Sequence, residues 1–405
     1  MHRSGIAVAL PLAIAIVALA GCTADPSPAP SAASREDARL ADDIRAAVTQ
    51  QQEDLDLRAV IVRVTRGDHE IVTDAWGESM TGVPATADMH FRNGAIAIPQ
   101  VSTVLLQLVD EGEVVLDDTI DTWLPQVPHA DEVTLGQLAQ MTSGYADYLW
   151  SEDFLAQLAA DPFRHWQPEE LYAFGTDEPL VYEPGTNWNY SHTDYVLLGL
   201  ALERITGDPL DEVIRERILD PLGLENTAAP GTPAMLEPAL HALDAERRDH
   251  LGIPADVSFV EDSTHWDPSW TLARGAVQNT DVADTATLFR AIGRGELLSD
   301  ESHERQIAPT LRDQTTAVEG CPSCFPQDER YTFGYGLVLH GDWMLQNPAF
   351  HGYGGVAAYL PAQDVSVAVV VTYLPGAFDA EGEVGNGANS VFRAIAEIVA
   401  PGSVP

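Results

Sequence analysis

Strand-forming segments gather near the two ends of the chain, and no other feature of the sequence constrains the fold as strongly. Near the N-terminus, "AVIVRVTRGDHEIVTDAWG" (59–77) predicts two strands joined by a turn at Gly67-Asp68, since β-branched residues lie on both sides of a glycine break. Near the C-terminus, strand character returns over 331–340 and 357–374, and the second segment predicts a hairpin that turns at 361–364. A lone hairpin is marginally stable, so we expect strands from both ends to share one sheet.

The residues between these strand segments predict mainly helices, separated by loops that contain proline and glycine. Several of the helices begin at Thr or Asp and end at Gly, which are residue types that cap helices. The expected fold class is α/β (α+β): an antiparallel sheet built from both termini, flanked by terminal helices, with a mainly helical inserted region. The predicted helices cover 34–52, 101–112, 134–144, 194–207, 281–295 and 389–400.

Residues 1–21 are predicted to be a lipoprotein signal peptide. Arg3 precedes an apolar run (6–20) that is shorter than the roughly 20 residues needed to span a bilayer. The run ends in Leu-Ala-Gly-Cys, which is typical of a bacterial lipobox, so cleavage before Cys22 would leave a thiol to carry lipid. The alternative is a plain secretory signal with an incidental cysteine. Residues 22–37, rich in Pro, Ala and Ser, predict a flexible tether, so we expect an exported domain anchored to the outer face of the bacterial cell membrane.

The chain is strongly acidic. It carries 62 Asp and Glu residues against 21 basic residues, for a formal net charge of −41 in 405 residues. All the basic residues are arginine, so no lysine is present. Negative charge of this size argues against nucleic acid and anionic lipid surfaces as partners, because both would repel the chain. The bias of an acidic proteome explains the balance equally well.

Cys321 and Cys324 form a closely spaced pair in the sequence C-P-S-C. In an exported protein two neighbouring thiols usually oxidise, so a small-loop disulfide is the first interpretation. A redox motif would normally begin a helix in a thioredoxin-like unit, and the sequence does not predict such a unit here. A zinc site would need two further ligands, and no second cysteine pair is present.

Five segments carry recognisable patterns. "FRNGAIAIPQ" (91–100) leads into "LLQLVDEGEVVLDDTIDTWLP" (105–125), and "VTLGQLAQMTSGYADY" (133–148), "YEPGTNWNYSHTDYVLLGLALERITG" (182–207) and "FHGYGGVAAYL" (350–360) follow. In this order and spacing they resemble the motifs of the serine β-lactamase and penicillin-binding-protein superfamily, nearest to its class C β-lactamase, D-alanyl-D-alanine carboxypeptidase and esterase branch. The resemblance implies one domain over 38–400, with an α/β part (38–92 and 296–400) and a helical part (93–295).

The resemblance also implies where acyl-enzyme chemistry would lie. That family has Phe-Arg-x-Gly-Ser-x-x-Lys, in which Ser attacks the substrate and Lys, one helical turn later, accepts the hydroxyl proton. Here Ala95 stands at the Ser position and Ile98 at the Lys position. Because alanine offers no nucleophile and isoleucine cannot titrate, we expect this chemistry to be lost. Pro99 is a further departure that would shift the start of the helix.

Two other motifs of the family are altered. In its Tyr-x-Asn motif, Tyr190 is retained and His192 stands at the Asn position. In its edge-strand motif, His- or Lys-x-Gly, the alignment puts Gly352 at the first position and Gly354 at the last. His351 lies one residue early, which on a strand is the opposite face unless a bulge intervenes.

Catalysis could instead have moved to other side chains, of which the candidates are Ser191, His192 and His351. Neighbours in sequence usually point apart, which argues against a Ser191–His192 dyad and for a serine in the cleft wall. A pair of His192 and His351 with a carboxylate could bind a metal, but no clear third ligand is present. The sequence therefore predicts no metal site and no cofactor.

Aromatic residues near the altered motifs predict a retained binding cleft. We expect a β-lactamase-related, lipid-anchored envelope protein that is catalytically degenerate and binds a peptidoglycan fragment, a peptide or an envelope protein. The alternative is a carboxypeptidase-, esterase- or β-lactamase-like hydrolase with a relocated nucleophile, either Ser191 or a water assisted by histidine. The expected lining residues are Tyr145, Tyr148, Trp188, Tyr190, Tyr353, Gly354 and Gly355.

Overall fold

The computed structural model describes His2 and residues 32–405, with side chains from residue 36 onward. The predicted lipidation site Cys22 and nearly all of the predicted signal peptide and tether lie outside these residues. The last six residues of the predicted tether, 32–37, belong to the first helix, which begins at Ala32. In the part of the chain that the structure describes, no helix is both long and apolar enough to cross a membrane.

In the described part of the chain, nine of the strands form one antiparallel sheet, in the order β3-β2-β1-β13-β12-β10-β9-β8, with β11 also paired to β12. Two short pairs, β4 with β7 and β5 with β6, lie outside it. The strands are β1 (Leu57–Arg66), β2 (His69–Met80), β3 (Val83–Pro84), β4 (Phe91–Arg92), β5 (Leu243–Asp244), β6 (Glu261–Asp262), β7 (Asn279–Thr280), β8 (Thr332–Phe333), β9 (Val338–His340), β10 (Trp343–Gln346), β11 (Ala349–Phe350), β12 (Tyr353–Leu360) and β13 (Val365–Tyr373).

The two ends of the chain meet at the centre of this sheet. Strand β1 pairs with β13 along almost its whole length, with Val60 opposite Val371 and Val64 opposite Val367. The predicted turn at Gly67-Asp68 joins β1 to β2, and the predicted hairpin of β12 and β13 turns at 361–364. The prediction of one antiparallel sheet built from both termini is therefore confirmed.

Residues 32–405 form eleven α-helices, several of which pack on this sheet. The helices are α1 (Ala32–Asp54), α2 (Ile98–Asp110), α3 (Leu135–Gln140), α4 (Glu152–Ala160), α5 (Pro168–Thr176), α6 (His192–Thr206), α7 (Leu210–Ile214), α8 (Asp220–Leu222), α9 (Val282–Arg294), α10 (Asp300–Gln306) and α11 (Gly387–Val399).

Helices cover both faces of the sheet, which is why every residue of β13 is buried. The Ser366 hydroxyl donates to the carbonyl of Ala286 in α9 at 2.8 Å, whereas Val371, five residues along the strand, lies against Gly387 of α11. An odd spacing puts the two side chains on opposite faces. Helix α9 therefore covers one face, and α11, which packs against α1, covers the other.

Helix α2 is the central helix of the molecule and carries the segment that begins at Phe91. A 3₁₀ turn, Gly94–Ala97, precedes it, so the helix starts at Ile98, next to Pro99, rather than at residue 95. Proline is tolerated there because the first helical N–H groups have no intrahelical partner. Every residue from Ile98 to Leu106 is buried, and the polar residues among them, Gln100, Ser102 and Thr103, form hydrogen bonds.

Candidate functional site

A cavity of about 390 Å³ opens between the C-terminal end of β10 and the helical region. Ala95, Tyr190 and His192 all line it, so the first two altered motifs meet in space. Its walls are mainly aromatic and aliphatic, which suits an apolar ligand group. The remaining lining residues are Leu149, Trp188, Trp270, Thr271, Leu272, Phe325, Tyr331, Val338, Gln346, Asn347, Pro348, Ala349 and Phe350.

A buried amide network fixes Ala95 at the cavity. The Asn93 side chain donates to Gln278 Oε1 at 3.1 Å and accepts from the Gln278 backbone N–H at 2.8 Å. Gln278 and Gln100 exchange two further hydrogen bonds, of 3.0 and 3.2 Å. Gly94, at φ +49°, lies so close to Pro348 that an added Cβ would sit 3.0 Å from the proline ring. The turn that carries Ala95 is therefore clamped between helix and sheet.

Ile98, at the predicted base position, does not line the cavity. Its side chain is completely buried in the core directly below the turn. Position 98, where the resemblance puts the proton acceptor, therefore lies in the core and not in the cleft wall. The physical reason is that the 3₁₀ turn gives way to an α-helix whose first residue points inward.

Tyr190 and His192 form one edge of the cavity. Their rings meet edge to face with centroids 5.2 Å apart, and Trp188 packs against Tyr190 at 6.5 Å. Burial holds the pKa of the Tyr190 hydroxyl well above its ordinary value, with smaller contributions from Tyr331 and Asp147. Tyr190 is therefore a neutral phenol at neutral pH and can donate a proton or a hydrogen bond, but cannot act as a phenolate base.

Asp147 orients His192 towards the cavity. Its Oδ2 lies 3.1 Å from His192 Nδ1, and its Oδ1 accepts the His192 backbone N–H at 3.2 Å. The carboxylate side chain is 4% exposed, so the pair is well shielded from solvent. A carboxylate at Nδ1 fixes the tautomer and leaves Nε2 as the free nitrogen, the arrangement of a general base. The sequence analysis missed Asp147, although it follows the Thr-Ser-Gly motif by three residues.

Ser191 is not a nucleophile at the cleft. Its side chain is completely buried and caps α6, accepting the Asp194 backbone N–H at 3.1 Å and donating to Asp194 Oδ1 at 2.9 Å. Ser143 donates to the same Oδ1 at 2.6 Å. Burial raises the pKa of Asp194 to about 8, and these hydroxyls oppose the rise only in part. The candidate role of Ser191 as a relocated nucleophile is therefore wrong.

The predicted edge-strand motif lies elsewhere. Gly352 occupies the tight turn between β11 and β12 at φ +81°, where an added Cβ would lie 2.2 Å from the carbonyl oxygen of Leu243. Gly354 and Gly355 lie on β12, between β13 and β10 or β11, and do not line the cavity. The segment that borders the cleft runs from Gln346, at the end of β10, through Asn347 and Pro348 to both residues of β11. The error arose because the register of a glycine-rich turn is weakly specified by sequence.

Three of the predicted lining tyrosines are core residues instead. The Tyr145 hydroxyl donates to the carbonyl of Pro128, the Tyr148 hydroxyl to the carbonyl of Trp270 at 2.7 Å, and the Tyr353 hydroxyl to the carbonyl of Leu240 at 2.6 Å. All three side chains are buried away from the cavity. A buried tyrosine normally satisfies its hydroxyl in this way, and the sequence does not distinguish that arrangement from a cleft wall.

The disulfide lies directly before a residue that lines the cleft. Cys321 and Cys324 are bonded in the structure, in the loop between α10 and β8, and Phe325 follows directly. The Phe325 ring packs edge to face on Trp188 and Tyr331, at 5.1 Å in each case. No sequence motif identified Phe325 or Tyr331 as lining residues, because the loop reaches the cleft only through tertiary packing.

His351 lies in a different site from His192. His351 and Gly352 form the two-residue turn between β11 and β12, and His351 has a φ of +40°. His351 therefore lies neither on a regular strand nor in a β-bulge. Its Nδ1 lies 3.6 Å from Asp244 Oδ2 and 3.6 Å from Glu246 Oε2. Burial lowers the pKa of His351, but the two carboxylates outweigh burial and raise it to about 9. The alternative in which His192 and His351 share one metal site therefore does not hold in the structure.

Comparisons with known proteins agree with this architecture. The sequence profile of a family described as "Beta-lactamase" matches residues 44–389. The chain is 34% identical over 157 residues to "Penicillin-binding protein 4" of Amycolatopsis lactamdurans, covering 36% of this chain and 38% of that protein. It is 29% identical over 210 residues to "Esterase EstB" of Burkholderia gladioli, covering 49% and 53%. The match thus spans about half or less of these curated relatives.

Solved structures resemble the chain over nearly its whole described length. A D-stereospecific amidohydrolase from Streptomyces sp. superposes with a TM-score of 0.69 at 25% sequence identity, and the match covers 92% of this chain and 99% of that one. The sheet, the helical insertion and the cleft between them are therefore those of an established architecture.

Proposed function

The chain belongs to the beta-lactamase family of serine hydrolases, related to carboxypeptidases and esterases, and from that premise we propose that it is a degenerate member that binds rather than cleaves its ligand. The observation that carries the proposal is the methyl group of Ala95, in the 3₁₀ turn that precedes the central helix and in the wall of the cavity. The family places its nucleophile in the segment of Ala95, and alanine has none to offer.

The environment of Ala95 supports the same conclusion. The chain has no lysine, and Ile98 is apolar and fully buried, so no amine is available to take a proton from an attacking hydroxyl. Ser191 is committed to capping α6. Removal of a nucleophile and its base leaves only the modest rate enhancement that binding supplies, about 10³–10⁴-fold over water.

The ligand we propose is a peptidoglycan fragment, a peptide or a segment of an envelope protein. Trp188, Trp270, Phe325 and Phe350 provide broad apolar surfaces for a side chain or acyl group. His192 and Asn347 add polar groups that could hold an amide or a carboxylate. The clamped turn under Ala95 keeps the cavity preformed, which lowers the ordering cost of binding.

A matched pair of alanine variants tests the binding proposal. Ala95→Leu would fill the cavity, and Ala87→Leu changes a partly exposed alanine outside it. Calorimetric titration with a stem peptide ending in D-Ala-D-Ala should give an affinity that Ala95→Leu lowers at least 10-fold and Ala87→Leu leaves unchanged. Equal affinities for the two variants would place binding outside this cavity.

Covalent probes test the loss of catalysis. A fluorophosphonate and a penicillin, each incubated with the full chain, should leave its intact mass unchanged. A stoichiometric adduct would contradict the proposal, and mapping it by peptide mass would show whether Thr271, a hydroxyl residue lining the cavity, carries the label.

We further propose attachment to the outer face of the cell membrane through lipid on Cys22. Support comes from the lipobox-like Leu-Ala-Gly-Cys that ends the apolar run of the predicted signal peptide. In a bacterial host, the wild-type chain should fractionate with membranes and Cys22→Ala should not. Membrane association that survives Cys22→Ala would contradict lipid anchoring.

The Asp147–His192 pair favours a second candidate function, hydrolysis of an ester or amide by a histidine-assisted water. His192 lines the cavity, and the buried Asp147 carboxylate behind it gives the ring the geometry of an oriented base. His192→Gln should abolish any hydrolysis of activated esters. The matched control is His241→Gln, since His241 contacts Asp262 at 2.9 Å but does not line the cavity. Hydrolysis that both variants retain equally would exclude His192 as the base.

A further inference from the structure

Asp244, Glu246 and His351 form a compact side-chain cluster, which we name the rear site because it lies behind the aromatic wall of the cleft. One ligand-type atom from each residue lies within 4.8 Å of the others. Asp244 belongs to β5, Glu246 follows it, and His351 comes from the β11–β12 turn more than a hundred residues later. The cluster is therefore assembled only by the fold.

The imidazole of His351 is the unusual member of the rear site. Its side chain is 7% exposed, and neither ring nitrogen has a hydrogen-bond partner among the described residues. Asp244 Oδ2 and Glu246 Oε2 each lie 3.6 Å from His351 Nδ1, a distance that is too long for a hydrogen bond. A buried polar group without a partner costs about 1–3 kcal/mol, and the left-handed backbone of His351 adds strain.

The charge around the rear site is unbalanced in favour of anions. Among the described residues, Asp244 and Glu246 form ion pairs only with His351. The adjacent arginines are engaged elsewhere: Arg247 pairs with Glu261 at 2.8 Å, and Arg248 donates to backbone carbonyls. Glu383 lines the same cavity as Glu246 and His351 and adds a further carboxyl group. The surroundings would therefore stabilise an added cation.

From this geometry we propose that the rear site binds one divalent transition-metal ion, of which Zn²⁺ is the best match. Imidazole nitrogen and carboxylate oxygen are both ordinary zinc ligands, at about 2.0–2.2 Å. Tetrahedral ligands at that distance stand about 3.3–3.6 Å apart, close to the 3.6 Å that separates His351 Nδ1 from each carboxylate. The distances that are too long for hydrogen bonds are thus suitable for a shared metal.

An ion can enter the rear site from solvent. The Glu246 side chain is 51% exposed, and together with His351 and Glu383 it lines a cavity of about 230 Å³. Three protein ligands leave one position of a tetrahedral ion open toward this cavity, where Glu383 or a water molecule could complete the coordination.

The rear site also contacts the binding cleft. Trp270 packs on His351 with centroids 4.8 Å apart and stacks on Phe350 at 5.5 Å, and both Trp270 and Phe350 line the cleft. A metal ion held by His351 would fix the ring against which Trp270 rests. Co²⁺, which replaces Zn²⁺ in such sites and absorbs visible light, can therefore be followed by its own spectrum and by tryptophan fluorescence.

The test is a calorimetric and spectroscopic titration of the untagged, chelator-treated full chain with Zn²⁺ and Co²⁺. We expect one ion per chain, with a Co²⁺ spectrum of four-coordinate character. Glu246→Gln and Asp244→Asn should each weaken the affinity about 100-fold or more, because each removes a proposed ligand and loss of even an outer-shell partner typically costs about 10–100-fold. Asp262→Asn is the matched control, because it removes one carboxylate paired with a histidine outside the rear site and should leave the affinity unchanged.

Glu246 is solvent-exposed, so Glu246→Gln should fold even if Asp244→Asn does not. Stoichiometric binding that Glu246→Gln and Asp262→Asn leave equally intact would overturn the rear site. Absence of one-to-one binding by the wild-type chain would also overturn the proposal. The cluster would then be a protonated His351 held by two carboxylates. Tighter binding of Ca²⁺ than of Zn²⁺ would overturn the proposed class of metal.

Discussion

Reconstruction of the family's nucleophile and base gives the sharpest test of the degenerate-cleft proposal. The perturbation is the double variant Ala95→Ser with Ile98→Lys. Ala95 already lines the cavity, so the new hydroxyl would face a bound probe. Ile98 is fully buried one turn further on, so the new amine would be desolvated, and desolvation lowers the pKa of a lysine.

The expected loss in the free energy of unfolding follows from the burial of position 98. A lysine titrates near 10.4 in the unfolded chain, and to be neutral in the folded protein at pH 7 its pKa must fall by at least about 3.4 units. At about 1.4 kcal/mol for each unit, Ile98→Lys should lower the free energy of unfolding at pH 7 by about 4–5 kcal/mol. Because the folded pKa is depressed, the loss should shrink as the pH rises toward 10.4, where the unfolded chain also holds a neutral amine.

The assay is covalent labelling by a fluorophosphonate, followed by intact mass, on the folded fraction of each variant. A general base typically contributes about 10²–10⁴-fold, so the double variant should label about that much faster than Ala95→Ser with Ile98→Met. Methionine matches the length of lysine without its amine. Equal labelling rates for the two double variants would refute the claim that a lysine at position 98 acts as the base for a serine at position 95. Labelling of the wild-type chain would refute the loss of the nucleophile.

Two further predictions concern stability. Because the folded pKa of Asp194 is raised to about 8, the fold favours the neutral acid, so this group should make the free energy of unfolding fall as the pH rises from about 4 to about 8. Asp194→Asn, which still accepts from Ser143 and Ser191, should remove that slope of up to about 1.4 kcal/mol per pH unit in urea titrations, and an unchanged slope would contradict a raised pKa. Gly352→Ala should lower the free energy of unfolding by about 2 kcal/mol or more, because the new Cβ meets the Leu243 carbonyl in a left-handed turn. A Gly352→Ala chain of wild-type stability with altered ligand affinity would instead support a cleft position for residue 352.

The secondary structure was largely predictable because the relevant signals are local. The helix predicted over 281–295 is observed as Val282–Arg294, with Asp281 as its N-cap and Gly295 as its C-cap. The turn at Gly67-Asp68 and the hairpin turn at 361–364 were likewise predicted from residue types at fixed positions. Such signals need no knowledge of distant partners.

The cleft was only partly predictable because its walls come from separate segments. The sequence motifs brought Ala95, Tyr190 and His192 together correctly, since the family resemblance already encodes their proximity. The same reasoning misplaced the edge strand by several residues and assigned Tyr145, Tyr148 and Tyr353 to the cleft. Aromatic character alone does not tell whether a ring lines a cavity or fills the core.

The sequence by itself determined the antiparallel sheet from both termini, the helical insertion and the family. The sheet, the insertion and the family follow from local periodicity, capping residues and motif order, all of which lie along the chain, and the sequence likewise shows Ala95 and Ile98 where the family resemblance puts Ser and Lys. Only the tertiary structure decided that Asp147 orients His192, that Ser191 is a buried cap, and that His351 meets Asp244 and Glu246. The physical reason is that burial and contact depend on which distant side chains pack together, and that information exists only once the sheet and the helices have closed on each other.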